Sequence, residues 1–123
     1  MADRQERLEE ALDSLAAAPG MLGAILLTRD GFAVLNRCPR LPAPETFAAM
    51  GATLLAAAEA ALAELGTVEP AHIVFEAGKT RIVVRGVSDQ LVLATISEPG
   101  ADLDKVLPRV DDTAALVGKI VAG

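Results

Sequence analysis

The sequence predicts a single α+β domain over residues 1–123, with the element order α-β-β-α-β-β-β-α. Three observations predict it. Two turn signals, Asp30-Gly31 and Gly78-Lys79, each sit between runs rich in aliphatic and β-branched residues. Three segments, at the start, middle and end, carry apolar residues at helical spacing. The links between consecutive strands are too short for a crossover, so those pairs are antiparallel.

The first helix is expected from Asp3 to Ala18. Asp3 can cap it, Glu6 stands three residues on as in a capping box, and Leu8, Leu12 and Leu15 form one stripe. Pro19-Gly20 ends it. "MLGAILLTRDGFAVLNR" is then a hairpin turning at Asp30-Gly31, a register that places Leu27 opposite Val34 and Leu26 opposite Leu35. Its first strand is apolar on both faces, which predicts a central strand covered from both sides.

After the proline-rich link "CPRLPAP", a long helix is expected from Pro44 to Gly66. Pro44 suits the first turn, Glu45 the positive end of the dipole and Gly66 the exit. "HIVFEAGKTRIVVRGV" is a second hairpin. Turning at Gly78-Lys79, it pairs Glu76 with Arg81, Phe75 with Ile82, Val74 with Val83 and His72 with Arg85. "LVLATIS" is a fifth strand. The closing helix is expected to bend or restart at Pro108, with Leu103, Val106, Val110, Ala114, Val117 and Val121 facing inward.

Composition narrows the functions. Apolar residues make up 52%, with three Phe and no Trp or Tyr, so the core is aliphatic. Eleven Lys and Arg against seventeen Asp and Glu give a net charge of −6, which argues against nucleic-acid and anionic-membrane binding. A lone cysteine, Cys38, allows no internal disulfide and no paired-cysteine zinc site, and fits a reducing, cytoplasmic setting. The N-terminus lacks the apolar core of a signal peptide, and Glu45, Glu59 and Glu64 bracket the most apolar helix, so no membrane insertion is expected.

No active site emerges. "GKT" at Gly78–Thr80 lacks the earlier glycine of a phosphate loop, where Ile73 stands, and a strand follows it rather than a helix. His72, the single histidine, faces Arg85 in the expected register and reads as a surface strand residue. Glu9-Glu10, Asp102-Asp104 and Asp111-Asp112 read as solvated faces or caps. No catalytic residue, metal or cofactor is expected.

The long helix is the unusual element. From Thr46 to Ala58 it carries no charge. Phe47, Met50, Leu54, Leu55, Ala58, Leu62 and Leu65 form a broad stripe that can cover a sheet. A second stripe of small residues runs through Ala49, Ala52, Thr53, Ala56, Ala60 and Ala63. Small residues let helices approach closely, and an uncovered apolar stripe of this length marks an interface. A second copy of the chain is the expected cover.

With the elements in place, the sequence resembles the Roadblock/dynein light chain family. The resemblance rests on "APGMLGAILLTRDGFAVL", "AAMGATLLAAAEAALAELG" and "VSDQLVLATISEPGADL", and covers nearly the whole chain. The extra terminal helices look like the bacterial and archaeal branch; Pro108 departs from it. The resemblance implies a five-stranded antiparallel sheet, with the long helix on one face and the terminal helices on the other. It also implies a homodimer in which the long helices pack antiparallel and the third strands, here with Ile73, Val74 and Phe75, join edge to edge. The implied activity is binding of a small Ras-like GTPase as regulator or scaffold, without enzymatic chemistry. The alternative is a small-ligand sensory domain, which would need an enclosed pocket.

Overall fold

A computed structural model describes residues 3–67 and 72–123. The elements follow the expected order: α1 (Arg4–Ala16), β1 (Met21–Thr28), β2 (Ala33–Arg37), α2 (Pro44–Glu64), β3 (His72–Ala77), β4 (Thr80–Gly86), β5 (Leu91–Ser97) and α3 (Leu103–Ala122). The strands form one sheet in the order β2-β1-β5-β4-β3, and every neighbouring pair is antiparallel.

α1 begins where its cap dictates: the Asp3 carboxylate accepts from the Glu6 N–H at 2.8 Å. Leu8, Leu12 and Leu15 are all buried. The β1–β2 hairpin departs from the expected register near its turn. Leu26 pairs with Leu35 as read from sequence, but Leu27 pairs with Ala33, not Val34. The loop has three residues rather than two. Thr28 N–H donates to the Phe32 carbonyl at 2.8 Å, and Gly31 closes the turn at a φ of 95° that only glycine adopts readily. That extra residue becomes a bulge between Leu26 and Leu27.

The β3–β4 hairpin matches its expected register throughout, from Ala77–Thr80 to His72–Arg85. Gly78 takes a φ of 60° at the first central position, as a two-residue primed turn requires.

α1 and α3 lie on one face of the sheet and α2 on the other. Alternation along the strands supplies both cores. Ala24, Leu26, Val83 and Leu93 face α1 and α3; Ile25, Leu27, Val84, Val92 and Ala94 face α2. β1 is apolar on both faces because both are covered, as its composition predicts.

α3 is one helix, without the restart expected at Pro108. Proline removes a single hydrogen bond, to the Asp104 carbonyl, and both residues are exposed, so water can satisfy that carbonyl. Its buried face is Val106, Val110, Ala114, Val117 and Ile120. Ile120 joins the inward face at one α-helical period beyond Val117, and Val121 and Leu103, expected to face inward, are half-buried against the same core. Two ion pairs and a clamp tie α1 and α3 down. Arg37 Nε lies 2.6 Å from Asp13 on α1, and Arg85 Nε lies 2.8 Å from Asp111 on α3. Arg81, only 8% exposed, reaches Glu76, the Ala101 carbonyl at 2.6 Å and the Pro99 carbonyl at 3.0 Å, fixing the loop that leads into α3.

Candidate interaction surface

α2 has no side-chain cap and begins on Pro44. It ends in a Schellman arrangement: Gly66 N–H bonds the Ala63 carbonyl and Thr67 N–H the Leu62 carbonyl, both at 3.0 Å. By length and composition it is apolar enough to cross a membrane, yet one side of it packs on the sheet. That side consists of Ala48, Gly51, Ala52 and Leu55. Arg29, from the β1–β2 loop, pairs with Glu59 on the same helix and donates to the Ser88 carbonyl at 2.7 Å.

This rotation differs from the one read from sequence. Met50 and Leu54, assigned to the sheet side, are 56% and 43% exposed; Leu65 is 80% exposed. Ala52, assigned to the outer stripe, is buried in the chain's own core at 7%. Ala49 is half-buried beside Gly31 of the β1–β2 loop, and the Thr53 hydroxyl donates to its carbonyl at 2.9 Å. Ala56, Ala60 and Ala63 are exposed. The physical reason is size. Ala48, Gly51 and Ala52 let the helix lie close to the sheet with Leu55 inserted among them, and this rotation carries Met50 and Leu54 to the flank. Apolar residues all around α2 left periodicity unable to fix its rotation. The one informative signal was Glu59, the charge nearest its middle, which turns to the Arg29 side.

Met50 and Leu54 stay together on one flank. Phe47, Met50 and Leu54 line an apolar groove of about 220 Å³ with Phe75 of β3 and Ile82 and Val84 of β4. Gly51 stands at its floor; a Cβ there would meet nothing within 4 Å. Beside the groove runs β3, an edge strand that pairs with β4 alone among the described residues. Ile73, Val74 and Phe75 are each half-buried. Ile73 and Phe75 point to the α2 side and Val74 to the α1/α3 side. An exposed apolar groove flush with an unpaired strand edge is a template for strand addition backed by side-chain packing.

The residues weighed for chemistry are dispersed. Cys38 is buried just after β2, and His72 is exposed on β3, so they stand at opposite edges of the sheet. Asp102 caps α3, Asp111 pairs with Arg85, and Glu9 lies 3.7 Å from Arg37. No group of three metal-ligating side chains occurs among the described residues. Three larger hollows, of about 460, 480 and 470 Å³, are open to solvent rather than enclosed.

Comparison with known proteins agrees with this geometry. The Roadblock/LC7 domain model matches residues 7–97. Among solved structures, an MglB described in a tetrameric arrangement superposes with a TM-score of 0.88 at 23% identity, covering 99% of this chain and 93% of the other. Myxococcus xanthus MglB gives 0.86 at 18%, covering 94% of each chain. A Roadblock/LC7 domain from Streptomyces avermitilis gives 0.83 at 19%, covering 99% and 100%. A comparison with curated proteins gives no match.

Proposed function

The chain belongs to the Roadblock/LC7 domain family, and from that premise we propose that it is a non-enzymatic homodimeric regulator or scaffold that binds a small Ras-like GTPase in the cytoplasm. The family is a regulatory rather than a catalytic one, and the dispersed ionisable residues suit that role. The observation that carries the self-association is the apolar groove lying flush with the unpaired β3 edge. In the proposed dimer β3 pairs with β3, Ile73, Val74 and Phe75 are covered, and the two α2 helices meet along Met50 and Leu54, with Thr53, Ala56, Ala60 and Ala63 beside them. Ala52 is held within its own chain. The tetrameric arrangement described for one structural neighbour, an MglB, supports the self-association proposed here.

The GTPase reading is tested by binding to candidate Ras-like proteins loaded with GDP or with a GTP analogue. Switch segments order around the γ-phosphate, so a regulator should discriminate between the two states. Equal affinity for both reduces the role to a passive scaffold, and no binding to any of them removes it.

A further inference from the structure

We infer that β3 pairs with β3 of a second copy in one register, centred on Val74, which sets His72 against the partner's Glu76 twice across the joined edge. The inference rests on the self-association proposed above and adds which atoms specify it.

The two-residue turn at Gly78-Lys79 makes Ala77–Thr80 a hydrogen-bonded pair, and bonding then alternates up the strand. Phe75 and Ile73 therefore also bond to β4. The amide and carbonyl groups of His72, Val74 and Glu76 point to the free edge. For both α2 helices to lie on the same face of a joined sheet, the two-fold axis must run perpendicular to it, and each residue then faces one of its own parity. Three centres remain: Ile73, Val74 and Phe75.

The Val74 centre satisfies most groups. His72 bonds with the partner's Glu76, Val74 with its own mate and Glu76 with the partner's His72, so all three outward residues exchange both bonds. The Phe75 centre sets Glu76 against Val74 and carries His72 past the end of the partner strand, against Gly78. The Ile73 centre sets His72 against Val74 and Glu76 against position 70, a proline with no N–H to donate. Side chains agree with the backbone. On the α2 face the Val74 centre places Ile73 against Phe75 twice, extending the groove into one apolar layer. On the other face it places two Val74 side chains together, flanked by an imidazole–carboxylate pair at each end. One Glu76 oxygen accepts from Arg81 of its own chain at 3.2 Å. An ionised carboxylate has capacity for a further donor, and Glu76 is exposed.

Disulfide trapping of single-cysteine variants tests the register, with oligomeric state measured on the same samples by light scattering. Facing Cα atoms in a hydrogen-bonded pair lie about 5.5 Å apart, within disulfide reach, and diagonal neighbours at about 7–8 Å lie beyond it. Val74→Cys should trap a covalent dimer under mild oxidation. Ile73→Cys and Phe75→Cys should not, and the unmodified chain, whose Cys38 is buried, is the blank. His72→Glu should weaken the dimer about tenfold by opposing two carboxylate pairs, and His72→Gln should change it less than threefold. Faster trapping of Phe75→Cys or Ile73→Cys in a chain that still dimerises overturns the register and leaves the dimer standing. A dimer that no β3 cysteine traps also overturns it. A chain that remains monomeric overturns the underlying self-association instead.

Discussion

The two faces of the sheet are finished differently. On one, α1 and α3 lie side by side, and Leu12, Val110 and Val117 reach zero exposure. On the other, α2 alone spans the sheet. It fully covers the strands beneath Ala48 and Leu55 but leaves Met50 and Leu54 over a groove at the β3 edge. Two helices complete a face that one cannot. Both faces bury side chains fully, Ile25, Leu27, Val84 and Val92 under α2 among them, but only the second leaves an apolar groove at its edge, which is the surface the proposed dimer would cover.

The sharpest way to break this contrast is a charge on the open face. Leu54→Arg should be tolerated in a single chain, where the side chain is already 43% exposed. In a two-fold dimer the substitution occurs twice, and overpacking with unpaired charge should cost roughly 3–6 kcal/mol of association. Sedimentation should show the monomer, with its circular dichroism unchanged. Ala56→Arg, one half-turn farther from β3, should weaken the dimer less; an equal or larger effect would return the contact to the small-residue stripe.

The opposite outcome is expected on the closed face. Leu12→Ala removes a fully buried side chain between α1, α3 and the sheet, and should cost about 2–5 kcal/mol in denaturant unfolding. Arg81→Ala releases the loop before α3 and leaves the Pro99 and Ala101 carbonyls without their donor, for about 1–3 kcal/mol. If these two changes disturbed dimerisation more than folding, the division of labour between the faces would be wrong.

How much of this was legible in the sequence depends on what each signal measures. The Gly78-Lys79 turn fixed a register because a two-residue loop admits few geometries. Asp30-Gly31 misplaced Leu27 by one residue because the same dipeptide also closes a three-residue loop with a bulge. α1 and α3 showed their inner faces through clear polar–apolar alternation. α2 did not, since apolar residues surround it, and so Met50 and Leu54 were placed on the wrong side while Ala52 was placed outside. That β3 should offer a free edge came from family resemblance; strand order across a sheet is not written in local pattern.

The smallest expected effect sharpens the contrast further. Gly51→Ala adds a Cβ into empty space and removes a helix-interior glycine, so it should stabilise the isolated fold by about 0.5–1 kcal/mol. The same methyl narrows the groove that a partner would fill. Thermal unfolding of a Leu54→Arg background gives the first effect alone, and the dimer dissociation constant in the unmodified background gives the second.

The central claim is that the α2/β3 face is completed by a second copy. Light scattering of the unmodified chain across the micromolar range tests it most directly. The account predicts a mass twice the 12.7 kDa of the chain, or a multiple of that dimer, falling to 12.7 kDa in Leu54→Arg. A chain that runs as a 12.7 kDa monomer throughout that range, or a Leu54→Arg variant that keeps the dimer mass, would contradict it.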